Sequence, residues 1–149
     1  MAKARSINNK GFTLVEVMIS LITFAVLTII FGATVPLAKQ TAHMNGQYAQ
    51  AISLCQHKID QLRAVGYGRI NYTELSDAGI IDDIPTTSPF SFKEVDQVEN
   101  YLPQPTATLN VESLGPNQLK VTAAITWRTT IYSTKTSTAS LTAIITNVE

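Results

Sequence analysis

The stretch Lys10-Gly11-Phe12-Thr13-Leu14-Val15-Glu16-Val17 opens a segment with no Asp, Glu, Lys or Arg from Val17 to Ala38. Coiled as an α-helix at about 1.5 Å per residue, those 22 residues reach roughly 33 Å, enough to cross a bilayer core of about 30 Å. The bases Lys3, Arg5 and Lys10 precede the apolar run with no acid among them. That asymmetry predicts that the N-terminal end stays in the cytoplasm and the rest of the chain lies outside it.

A secretory signal peptide fits this stretch poorly. Cleavage after Ala38 puts Pro36 three places from the cut, and cleavage after Ala33 puts Phe31 there. Neither is the small residue that such a site needs, and the apolar run is long for a signal core. A plain signal anchor accounts for the apolar run but not for Glu16. A carboxylate at the start of a lipid-soluble helix costs on the order of 2 to 3 kcal/mol unless it finds a partner. A helix buried among identical helices can supply one, through a positive group on a neighbour.

The segment Gly11-Phe12-Thr13-Leu14-Val15-Glu16, followed at once by an uncharged helix, closely resembles the type IV prepilin and pseudopilin motif. The resemblance covers about 30 residues. It implies a leader over 1–11 and cleavage between Gly11 and Phe12 by a dedicated prepilin peptidase. It also implies N-methylation of Phe12, and pairing of Glu16 with the terminal amine of an adjacent subunit. The implied partners are other pilin or pseudopilin subunits, the peptidase, the inner membrane and an assembly platform. The implied location is the inner membrane as a single pass with an extracytoplasmic head, then a pilus or pseudopilus.

The 12–38 segment is followed by an amphipathic continuation over 39–66. Tyr48, Ile52, Cys55, Ile59 and Leu62 recur at helical spacing, while Gln47, Lys58 and Asp60 among others supply the polar surface. Gly66 and Gly68 are stop signals, so the helix is expected from about Phe12 to Val65. Pro36, lacking an N–H, is expected to kink or loosen it.

The globular head should occupy 67–149. Residues 67–104 read as irregular, broken by Pro85, Pro89 and Pro103. Phe90, Phe92, Val95 and Val98 suggest a short strand or an apolar patch, and Asp77, Asp82 and Asp83 a solvated acidic loop. Apolar and polar residues then alternate over 106–112, 118–128 and 138–146, with Gly115-Pro116-Asn117 and Ser133-Thr134-Lys135 as turns. That period predicts an antiparallel meander of three strands with one buried face, Trp127 in its core. The fold class is therefore α+β: a long N-terminal helix packed against a small antiparallel sheet. Ala51–Val65, and the run from Leu119 through Trp127 to Ile145, are also similar to minor pilins of the pilus-modification class.

Of 149 residues, 45% are hydrophobic and 15% charged, with zero net charge, so nothing points to nucleic acid. Without Lys3, Arg5 and Lys10, eight bases face eleven acids, a side-chain charge of about −3 for a chain starting at Phe12. The lone Cys55 excludes an intramolecular disulfide. It reads as a small residue on a helix face. His43 and His57 lack metal-ligand spacing, and no phosphate loop or nucleophile elbow occurs, so neither cofactor, metal nor catalysis is expected.

Several departures from the major subunits of this family stand out. There is no cysteine pair, and 129–149 hold Glu149 as their sole acid, short of a calcium loop. Ala33 stands where major pilins commonly carry the helix proline. The resemblance thus points to a minor pilin or a minor type II secretion or DNA-uptake pseudopilin. The alternative is a signal-anchored extracytoplasmic binding protein that does not polymerise.

Overall fold

The computed structural model describes residues 12–129 and 135–147. Residues 1–11, with Gly11 and the leader, and the turn residues Ser133 and Thr134 lie outside them. The chain divides into two compact units between Ala42 and His43.

One helix, α1 (Leu14–Val65), runs through both units. In the first unit its apolar side chains stand exposed from Leu14 to Leu37. The stretch is long and apolar enough to cross a membrane, and none of its most apolar window is buried within the chain. The helix continues through Pro36 without interruption. Every hydroxyl between Val17 and Ala38 is satisfied locally: Ser20, Thr23, Thr28 and Thr34 donate to the carbonyls of Glu16, Ile19, Phe24 and Ile30 at 2.8 to 3.0 Å. These i−4 bonds leave no hydroxyl proton seeking water, as a lipid environment requires.

In the second unit, α1 ends at Val65, and the Gly66 N–H donates to the Leu62 carbonyl at 3.2 Å. Gly66 takes φ 85° and ψ 161°, a region open essentially only to glycine. A short helix α2 (Tyr72–Asp77) follows, capped by Asn71, whose Oδ1 accepts the Glu74 N–H at 2.9 Å. The sheet comprises β1 (Phe90–Ser91), β2 (Thr106–Gly115), β3 (Gln118–Arg128) and β4 (Thr136–Thr146), antiparallel throughout and in the order β1-β2-β3-β4. The three expected strands are thus present, and a fourth short one joins them at Phe90.

The alternation places Ala107, Leu109, Val121, Ala123, Ile125, Trp127, Ala139, Ala143 and Ile145 on one buried face. Ala51, Cys55, Ile59 and Leu62 of α1 belong to the same core. The fold is therefore a long helix packed on a four-stranded antiparallel sheet.

Several expectations are corrected. The buried stripe of α1 carries Gln47 and Ala51, while Tyr48 and Ile52 are 37% and 48% exposed. Small and hydrogen-bonding residues sit under the sheet because Trp127 fills the space there: its Nε1–H donates to Gln47 Oε1 at 3.2 Å. Lys58, expected on the polar surface, is fully buried, and Asp82 is buried rather than solvated. Val95 is exposed, whereas Phe90, Phe92 and Val98 are core residues.

Candidate functional site

Thr13 begins α1. Its carbonyl accepts the Val17 N–H at 3.1 Å, and its Oγ1 accepts the Glu16 N–H at 3.3 Å. The Glu16 carboxylate reaches back to the Thr13 N–H at 3.4 Å. This reciprocal pair is a capping box, which satisfies two of the orphan donors at a helix N-terminus. A carboxylate there also faces the positive end of the helix dipole. Glu16 therefore has a local partner, and a plain anchor does gain something from it, contrary to expectation. The Thr-x-x-Glu spacing before an apolar run is the sequence signal for that box. Phe12 precedes the helix and is 81% exposed. Phe12 lies two positions before α1 begins at Leu14, and Glu16 lies in its first turn.

The second unit holds two buried charged groups: Lys58, expected on the polar helix surface, and Asp82, expected in a solvated loop. Lys58 Nζ donates to the Ile80 carbonyl at 2.7 Å and to Asp96 Oδ1 at 2.9 Å, and lies 5.2 Å from the Phe92 ring centroid. Burial pulls the Lys58 ammonium below the usual lysine range, and Asp96 and Asp82 pull it partly back. Asp96 Oδ2 is buried with no hydrogen-bond partner among the described residues. The contacts tie α1 to a loop 22 and 38 residues further along. No local pattern announces such a pair.

Asp82 organises the same loop. It accepts the Ser91 hydroxyl, the Val95 N–H at 2.9 Å and the Glu94 N–H at 3.1 Å. Burial alone raises its pKa, but the Ser91 hydroxyl and the N–H groups of Val95, Glu94 and Lys93 outweigh that and hold the carboxyl below the ordinary aspartate range. The unfolded chain then binds the proton more readily than the folded one. The stability from Asp82 is complete above the ordinary value of about 4 and is lost as pH falls through the depressed value. Asp82→Asn is expected to flatten the acid limb of the stability profile. Urea midpoints measured between neutral pH and about pH 2 check this, and parallel acid limbs for variant and wild type would refute it.

Cys55 is buried, and burial raises its thiol pKa to about 11. It is a core residue with little thiolate at neutral pH. His43 Nε2 lies 3.2 Å from Gln47 Nε2 within α1. No group of three or more His, Cys, Asp or Glu side chains that could hold a metal occurs among the described residues. Comparison with known proteins finds no matching family model, no matching curated protein and no matching solved structure.

Proposed function

We propose that this chain is a non-enzymatic filament subunit of the prepilin type. It is cut between Gly11 and Phe12, methylated on Phe12, anchored by α1 in the inner membrane with its head outside the cytoplasm, and assembled with related subunits into a pilus or pseudopilus. The observation that carries the reading is the stretch from Val17 to Ala38: uncharged, not buried within the chain, with each hydroxyl self-satisfied, and preceded by Glu16 in the first turn. Such a surface is stable in lipid or against other helices, and a carboxylate at its edge fixes axial register when a neighbour's amine meets it. The absence of a cysteine pair favours a minor subunit. Mass spectrometry of the mature protein tests the processing step: N-methyl-Phe12 is the expected terminus, and an intact Met1 or a start near Lys39 would remove the reading.

The capping box favours a second reading, a signal-anchored protein that never polymerises, in which Glu16 serves only its own helix. Glu16→Gln separates the two, because glutamine keeps the box but not the charge. In a filament subunit, this variant should be cleaved and inserted normally but fall at least about tenfold in the sheared-filament fraction, the cost of roughly one lost charge pair. Equal incorporation would leave the capping role standing and end the pairing role.

A further inference from the structure

The two edges of the head sheet are built differently. In β2, the outward edge is dressed: the Ala107 carbonyl accepts the Phe92 N–H at 3.3 Å, Leu109 pairs with Phe90, and the Val111 N–H donates to Ser88 Oγ at 3.0 Å. The opposite edge is β4, beyond which no strand lies among the described residues.

The register identifies which β4 groups face outward. Just before β4, the Thr129 N–H donates to the Lys135 carbonyl at 3.2 Å, and just after it the Asn147 N–H donates to the Asn117 carbonyl at 3.0 Å. Both are odd-numbered β4-side residues, and the ladder between them is unbroken from Thr136 to Thr146. Hydrogen bonding alternates along an antiparallel pair, so the odd residues bond to β3 and the even ones point away from it. Thr138, Ser140, Thr142 and Ile144 therefore offer their N–H and C=O groups outward. Their side chains are exposed as well.

Natural sheets guard such an edge with charge, proline, a bulge or brevity. β4 has none of these: it runs eleven residues, carries no charge or proline, and pairs with β3 without a register shift. Donor–acceptor pairs repeating every second residue are complementary to one ligand chemistry, another extended backbone. We propose that the β4 edge receives an extended strand from a different polypeptide, which continues the sheet beyond β4.

A second copy fits less well. The two-fold that joins two β4 edges into one sheet reverses the helix lying on it, so the His43 ends of the two helices would leave in opposite directions. On the anchored reading both His43 ends lead to one membrane, which this arrangement disfavours. The remaining edge of a second copy is the dressed side of β2. This choice of occupant rests on the anchored reading above.

The test is residue-resolved amide hydrogen exchange on the full-length protein, in its native membranes and after purification to monomer in detergent. In the monomer, the amides of Thr138, Ser140, Thr142 and Ile144 should exchange at least tenfold faster than those of Ala139, Leu141 and Ala143. In membranes the even set should slow by at least tenfold. Ser140→Pro, which removes an outward N–H, and Ser140→Lys, which adds an edge charge without altering the backbone, should each abolish that slowing. Unchanged even-set rates in membranes, or protection already present in the monomer, would overturn the proposal. Two differently tagged copies that co-purify from the same membranes only when Ser140 is intact would overturn the choice of partner. Fractionation of the wild type is read separately: a soluble protein would end the anchored reading, whatever the exchange rates show.

Discussion

Trp127→Ala is expected to destabilise the head by about 3 to 5 kcal/mol, the range of a large aromatic deletion from a packed core. Trp127 is 1% exposed, so the whole indole is lost from the interior. Its ring meets Tyr48 edge-on, with centroids 4.9 Å apart and planes at 76°. That arrangement adds about 0.5 to 1.5 kcal/mol beyond burial. The substitution also leaves Gln47 Oε1, in a buried side chain, without the indole N–H it accepts. An unsatisfied buried acceptor costs a further 1 to 3 kcal/mol or so, partly relieved if water enters the cavity. Trp127→Phe keeps most of the apolar contact and orphans the same oxygen, so its smaller loss isolates the hydrogen bond. Urea unfolding of a fragment spanning 43–149 provides the measurement. A loss below about 1 kcal/mol for the alanine variant would mean that the ring is not the centre of the core.

Asp96→Ala should be comparably severe, about 3 to 5 kcal/mol at neutral pH, because it leaves a buried ammonium without its counter-charge. Lys58 has no exposed surface through which to reach water. It would keep the Ile80 carbonyl, the face of Phe92 and the weaker influence of the Asp82 charge. Burial already pulls its pKa down, and loss of Asp96 removes the main opposing influence. The folded variant then sheds its proton at a lower pH than the unfolded chain. Between those two values the unfolded state binds more protons, so stability rises with pH. The deficit of Asp96→Ala should shrink as pH climbs from neutrality toward about 10, where an unfolded lysine titrates. Replacing both partners by apolar residues, Lys58→Met with Asp96→Leu, should recover most of the loss, since a buried pair is often no more stabilising than hydrophobes of similar volume. A double variant as unstable as Asp96→Ala would assign the loop's integrity to the Ile80 carbonyl contact instead.

The sheet was legible because alternation is a local property: Leu119 to Trp127 declares its buried face within nine residues. The end of α1 was legible for a similar reason, since Gly66 adopts a backbone conformation that few other residues tolerate. The two-residue β1 had too little length to show a period. Apolar spacing sets the α1 stripe one residue late at its start, because Tyr48 and Ile52 are larger apolar side chains than Gln47 and Ala51 offer. What decides burial there is the bulk of Trp127, 80 positions downstream in the Gln47 contact. Residue type alone places Lys58 and Asp82 on the surface, because charges favour exposure. Their burial depends on loop partners that a linear pattern does not pair with them. At the helix start, the Thr13–Glu16 box was present in the sequence as a four-residue motif.

The core contacts of α1 have a consequence for the order of synthesis. Gln47 and Cys55 emerge from the ribosome early, yet Gln47 waits for Trp127, and Cys55 Sγ meets the Ala139 carbonyl, 3.9 Å away, only after 84 further residues. The meander can zip locally, each strand onto the last, but it has no floor until it meets the helix. During synthesis the apolar underside of α1 is therefore bare until most of the chain has emerged. That interval is when a holdase would find it, and when a polypeptide stalled before β4 would be recognisable to a protease as unfinished.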